Sequence, residues 1–331
     1  MEGENGLMRR LLASSLALAL AVLAVTTFAR TPAAQTADRV LEACAPEKQT
    51  IDARALPAAI VTSERCPVAE REIEDGEVGS VVPAPGGSVH AEVLTTTGAE
   101  ELEVGRREDG TIELGFVGED AEATGGDFAK AGSPGECSDP EYTPGERRLS
   151  SALRYRFNRS TTPSELKPGD AADAIRRGGT RVANTKSNCR MGDRVPVGLV
   201  YEGRTGQGAN IDGLSCGDGD GNSVVAFGDL PGGVLAATCN WGRDENTVAS
   251  DIKINKQGVR WTTSPRSGSC QGMWDLEGIM THERGHTFGM GHVSETGHGN
   301  LTMSTTINGT CQMSERTLGR GDVRGLGEKY P

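Results

Sequence analysis

Four of the five histidines in this 331-residue chain fall between residues 282 and 298. Three of them share one segment with a glutamate: His282-Glu283-Arg284-Gly285-His286-Thr287-Phe288-Gly289-Met290-Gly291-His292. On a helix, His282 and His286 are one turn apart and lie on one face. That spacing lets two imidazole nitrogens reach a single Zn²⁺ at about 2.0–2.1 Å. Glu283, the next residue round, can stand beside the metal and hold a water. Gly289 tolerates the left-handed conformation that a sharp helix exit needs. The chain can then turn back so that His292 supplies a third nitrogen. Three neutral histidines leave a fourth position open for water, as a catalytic zinc site requires. Zinc would lower the pKa of that water toward about 7 and polarise a scissile carbonyl. Glu283 would take the water's proton as general base and later deliver it to the leaving amine.

The pattern HExxHxxGxxH arises by chance in on the order of one in 10⁵ chains of this composition. The rival reading is a zinc site that only stabilises the fold. Such a site has four protein ligands, and His298 is the fourth histidine within reach along the chain.

The segment resembles the metzincin metallopeptidases, most closely the matrixin branch. The likeness covers roughly residues 150–330 and rests on three further stretches. Leu301-Thr302-Met303-Ser304 resembles the Met-turn, which implies Met303 as an apolar floor under the ligands. Leu318–Tyr330, with Asp322 and Leu326, resembles the family's last helix. Gly233–Asn240 stands where the family has the edge strand that pairs with substrate. Departures are also visible. Val293 follows the third histidine in place of the usual serine, and Ser304-Thr305 replaces the Tyr-Pro that often follows the methionine. The loop before the edge strand, where the family holds a second zinc, carries no histidine here, so one zinc is expected. A PRCGxPD cysteine switch is absent. Cys44 or Cys66 could cap the zinc as a thiolate; a disulfide between them is the plainer alternative.

These residues must be positioned by a scaffold. The pattern predicts a helix over Trp274–Gly289 and a closing helix over Arg316–Tyr330. A further helix is expected over Asp170–Asn184, with Asp170 as N-cap and Gly178-Gly179 as its weak point. Strands are expected at Ser88–Leu94, Leu102–Arg106, Thr111–Val117, Leu153–Asn158, Pro196–Tyr201, Val224–Phe227, Gly233–Asn240 and Ala249–Asn255. Strands followed by a long helix carrying the motif make the class α+β. The resemblance implies a twisted, mostly parallel sheet with an antiparallel edge strand, backed by two helices.

Met8-Arg9-Arg10 and the apolar run Leu11–Phe28 read as a secretion signal over residues 1–29; an uncleaved anchor is the alternative. The net charge of −12 is uneven: residues 38–136 hold 22 acidic against 8 basic side chains. Residues 30–136 therefore read as an acidic, small β-rich pro-segment and linker, and 137–331 as the catalytic domain. Without a basic stripe, nucleic acid is excluded as a partner. Eight cysteines and no CxxC fit an oxidising compartment. Connectivity cannot be deduced, although Cys270 with Cys311 would staple the motif and Cys216 with Cys239 would close a glycine-rich loop.

Weaker signals remain. Asp218 and Asp220, in Cys216–Asn222, form a candidate calcium loop, with a solvated turn as the alternative. Gly213–Gly217 matches GxSxG, but a glycine-rich acidic loop follows it, not a helix. Arg320-Gly321-Asp322 is an RGD tripeptide inside the predicted last helix, where a structural role for Asp322 is expected. The resulting expectation is a secreted, monomeric zinc endopeptidase acting on protein or peptide, with no membrane partner once the signal is removed. The alternative is a non-catalytic secreted binding protein with a structural zinc.

Overall fold

The computed structural model describes residues 40–45, 48–61, 66–68, 71–117, 133–192 and 195–331. The expected signal and most of the expected linker lie outside them. Among the described residues no helix is long and apolar enough to cross a membrane.

The fold is α+β, with mixed sheets. In chain order the main strands are β1 (Ala59–Val61), β2 (Gly87–Thr95), β3 (Ala99–Arg106), β4 (Thr111–Val117), β5 (Leu153–Asn158), β6 (Leu199–Arg204), β7 (Val224–Gly228), β8 (Val234–Arg243) and β9 (Asn246–Asn255). They form one nine-stranded sheet in the order β6-β5-β7-β9-β8-β2-β3-β4-β1. The first four pair parallel, and β8 runs antiparallel to β9. From β8 onward every pairing is antiparallel. Strand β5 shows the logic: Leu153, Tyr155 and Phe157 are buried while Arg154 and Arg156 point to solvent, the period-2 pattern of a sheet face.

The strand around Gly233–Asn240 was expected at an edge. It is interior, because β2 from the acidic N-terminal segment pairs with it from Val234↔Thr95 to Arg243↔Gly87. The packing agrees. Val89, Ala91, Val93, Leu102 and Val104 share one core cluster with Ala237, Trp241 and Ala249. A smaller sheet repeats the connection, since Ser215↔Gly79 joins Ser215–Cys216 to Val78–Val81.

The longer helices among the described residues are α1 (Pro168–Ala183), α2 (Leu276–Thr287) and α3 (Arg320–Lys329). Helix α1 begins with Pro168 in its first turn after Lys167, so Asp170 is not the N-cap. It also runs through Gly178-Gly179 without stopping. Both glycines face other elements: a Cβ on Gly178 would press on Met280 and one on Gly179 on Leu199. Their small size lets α1 approach α2. Helix α2 is capped by Asp275, which accepts from the Gly278 N–H at 3.0 Å, and all twelve of its residues are buried. Gly289 makes the exit from helix α2 as expected, at φ +87°, where a Cβ would strike the Arg147 carbonyl oxygen.

Four disulfides are present: Cys44–Cys66, Cys137–Cys189, Cys216–Cys239 and Cys270–Cys311. The thiolate-cap alternative is thereby removed.

Candidate metal centre

Helix α2 places His282 and His286 on its inward face, and the turn at Gly289 returns the chain to bring in His292. The three rings converge through their Nε2 atoms. His282 Nε2 lies 3.0 Å from His292 Nε2 and 3.2 Å from His286 Nε2. Ligands held at about 2.0–2.1 Å on a tetrahedral ion are themselves roughly 3.3 Å apart. The spacing therefore suits one metal ion.

The outward nitrogens are also set. His282 Nδ1 lies 2.7 Å from the Thr302 carbonyl oxygen and His286 Nδ1 lies 3.0 Å from that of Met290. Such contacts fix the tautomer and aim Nε2 at the ion. His292 differs, because its Nδ1 pairs with the carboxylate of Glu101 on β3. Burial, with the neighbouring His292 next, lowers the His282 pKa to about 3. Burial likewise holds His286 well below its usual value. Neutral imidazole is the form that binds metal.

Glu92 on β2 completes a buried group with His282, His286 and His292 whose ligand atoms all lie within 4.8 Å of one another. Its Oε1 is 3.8 Å from His292 Nε2. The Glu92 and Glu283 carboxyls lie against each other in the buried site, and neither oxygen of Glu92 nor Oε1 of Glu283 meets an N–H or hydroxyl donor. Orphaned buried oxygens beside three converging nitrogens fit a cation, since each costs about 1–3 kcal/mol if left unmet. The other oxygen of Glu283 accepts from the Thr238 hydroxyl on β8. Burial raises the pKa of Glu283, and raises that of Glu92 well above normal, with the nearby Glu283 charge adding to the latter.

Met303 lies beneath, its sulfur packed where a Cβ on Gly285 would be. Buried Asp322 pins this turn by accepting from the N–H groups of Thr302 (2.9 Å), Met303 (3.3 Å) and Gly319 (2.8 Å). The RGD aspartate is thus structural.

The structure separates other candidates from the site. His298 pairs with buried Asp139 at 3.0 Å and is not the fourth member of the group. The candidate calcium residues do not belong to this group. Asp220 accepts from the N–H of Asn222 at 2.8 Å, and neither Asp218 nor Asp220 joins a cluster of three ligand-type side chains among the described residues. Ser215 of GxSxG pairs within the small sheet, and its neighbour Cys216 is disulfide-bonded.

Glu92, Glu101 and Thr238 escaped the sequence reading. One signal was available. Glu92 is an acid inside the strand-like run Ser88–Leu94 and Glu101 stands just before Leu102–Arg106, at alternating positions with His90 and Glu103, where a buried face favours apolar side chains. No protein-family model matches the chain, and no curated protein does so.

Proposed function

We propose that the chain is a secreted zinc-dependent endopeptidase of metzincin type. The observation that carries this reading is the convergence of three histidine Nε2 atoms beside the buried Glu283 carboxylate on a single helix and its return turn. His282, His286 and His292 would hold the metal. When bound, zinc supplies Lewis acidity toward a water and a peptide carbonyl. Glu283 takes the attacking water's proton and hands it to the departing amine, so no net proton is gained or lost by the protein. Thr238 orients the carboxylate, and Met303, backed by Asp322, holds the helix from below. With the N-terminal segment removed, an extended peptide would pair with β8 along the edge that β2 occupies.

One observation favours a second reading. With Glu92 the group has four protein ligands, the number found in structural zinc sites. That reading makes the protein a zinc-stabilised binding module.

The test is casein hydrolysis by secreted protein after limited digestion of its N-terminal segment, with and without 1,10-phenanthroline, beside Glu283→Gln. The endopeptidase reading expects activity that the chelator abolishes and that Glu283→Gln lacks while still binding one zinc. Zinc bound without hydrolysis in any preparation would establish the structural site instead.

A further inference from the structure

We propose that the Arg284 guanidinium forms a small-anion site, filled by chloride, on the side of helix α2 opposite the metal centre. The site belongs to the scaffold and touches no reacting group, so it stands under either reading of the centre.

The sequence sets the problem. Arg284 lies between His282 and His286, two residues from each. Two residues make more than half a turn of helix, so the Arg284 side chain leaves on the face opposite the two histidines. That face is packed, and Arg284 has no exposed surface. Its guanidinium carbon lies 4.5 Å from the ring centroid of Tyr155 on β5. On another side stands Gly179 of α1, where a Cβ would be 3.9 Å from Arg284 Nε. A guanidinium carries five N–H donors and stays charged in proteins. Here Nε, Nη1 and Nη2 are all buried, and none meets a protein acceptor.

The neighbouring groups do not offset this charge by contact. The Tyr155 ring attracts the cation to its face, but the N–H groups point outward in the guanidinium plane and gain nothing from it. Burial raises the Tyr155 pKa, so the phenol is neutral. Glu283 is adjacent in sequence, yet its carboxyl lies at the metal centre against Glu92 and Thr238. Asp251 on β9 is the other acid in electrostatic reach. Its oxygens accept from the N–H groups of Asn210 and Val224, each at 2.6 Å. Burial pushes Asp251 up to about 6, and Arg284 is the last of the influences acting on it. A carboxylate in an ion pair with a guanidinium is held down instead.

A buried charge is tolerated when it is both paired and hydrogen-bonded. Water would meet the N–H groups and leave the charge. An anion meets both, through charge-assisted hydrogen bonds. The packing requires a small one, because α1 approaches α2 closely at Gly178-Gly179. A monatomic ion has no directional demand and can take two parallel N–H groups from one edge of the guanidinium. Chloride is the commonest ion of that kind. Bound there, it braces from behind the helix that carries His282, Glu283 and His286.

The experiment uses the full secreted chain loaded with zinc. Thermal unfolding of wild type and Arg284→Met is followed in mixtures of sodium chloride and sodium gluconate at constant ionic strength. Crystals grown in sodium bromide are measured for anomalous scattering. The proposal expects the wild-type Tm to rise by about 2–4 °C for each tenfold increase in chloride above its Kd. Arg284→Met should not respond, and a bromide peak should lie within hydrogen-bond reach of the guanidinium. A wild-type Tm unchanged when chloride replaces gluconate overturns the proposal without any variant. A bromide peak beside such an unchanged Tm means binding at crystal concentration only. A chloride response that persists in Arg284→Met places the ion elsewhere, and density at the guanidinium without anomalous signal assigns water; either result overturns the site. If Arg284→Met does not fold, the bromide peak locates the ion in its place.

Discussion

Glu92 and Glu101 are direct cross-strand partners in the β2–β3 pair, and both are buried. Like charges in that position oppose each other, and burial adds a desolvation cost. The compensation lies on one side only: His292 faces Glu101, and the three Nε2 atoms face Glu92. The arrangement makes sense around a cation. Chelation should therefore lower the melting temperature of the wild type by more than that of Glu92→Gln, since the amide removes the opposed charge that the metal would have met. A ligand present at 1,000 times its Kd contributes about 4 kcal/mol, enough to read in a thermal scan. Equal chelator effects in the two proteins would show that the metal does not reach Glu92.

Glu277 fastens the helix layer. It is buried and accepts from Arg177 (2.8 Å), from Arg181 (2.9 Å) and, as an ion pair, from Arg316 (3.1 Å). Burial alone would raise its pKa, but the arginines, Arg177 first, hold it below its usual value. Arg177 and Arg181 are partly open to solvent, which screens them and reduces the cost of losing their partner. Glu277→Gln should cost about 1–3 kcal/mol at pH 7. A depressed folded pKa contributes stability that is present above the unfolded value of about 4.3 and disappears as pH falls through the folded one. The gap between wild type and variant in urea unfolding should hence be full at pH 7 and shrink below about pH 4. A gap that persists at the lowest pH would assign Glu277 a packing role instead.

The contrast between what could and could not be read from the chain has a physical basis. The motif was legible because its chemistry is packed into eleven consecutive residues whose geometry a single helix and one glycine turn dictate. Strand Gly87–Thr95 was legible as a strand, from alternation. Its partner was not, because register and sheet membership depend on which distant face is left apolar, and β8 lies more than 130 residues further on. The contributions of Glu92 and Glu101 to the centre follow from that pairing and were lost with it. The weak point at Gly178-Gly179 has the opposite origin: local propensity marked it, and tertiary packing against α2 overrode that propensity so that the helix runs through.

That override gives a prediction in which two effects compete. Gly178→Ala should gain up to about 1 kcal/mol of helix propensity. Its Cβ, however, would lie 2.7 Å from Met280 Cβ, 2.9 Å from the Met280 carbonyl carbon and 3.0 Å from the Glu277 carbonyl oxygen. Two of these are backbone atoms of a fully buried helix, which cannot swing aside. Overpacking of this kind costs about 1–3 kcal/mol, so the net effect should be destabilising, and zinc affinity should fall because α2 is displaced. The midpoint of urea unfolding decides the matter. A midpoint equal to or above that of wild type would mean that the α1–α2 contact can relax.

Asp322 links stability to pH with the opposite sign to Glu277. Burial raises its pKa to about 6, although three backbone N–H groups work against the rise. Its unfolded value is about 3.9. Between these values the folded protein holds a proton that the unfolded chain has released, so stability falls as pH rises. A shift of about 2 units corresponds to on the order of 2–3 kcal/mol, present in full below about pH 4 and lost by about pH 7. Asp322→Asn cannot ionise and retains one acceptor oxygen for the turn that carries Met303. Unfolding free energies of the zinc-saturated proteins at pH 4, 5, 6 and 7 (about unit steps) give the comparison. Subtracting variant from wild type cancels the histidine and metal contributions that the two share. The difference should favour wild type most at the acid end and decline steadily toward neutrality. A difference that is flat with pH would mean that Asp322 is ionised throughout, its charge met by the N–H groups of Thr302, Met303 and Gly319.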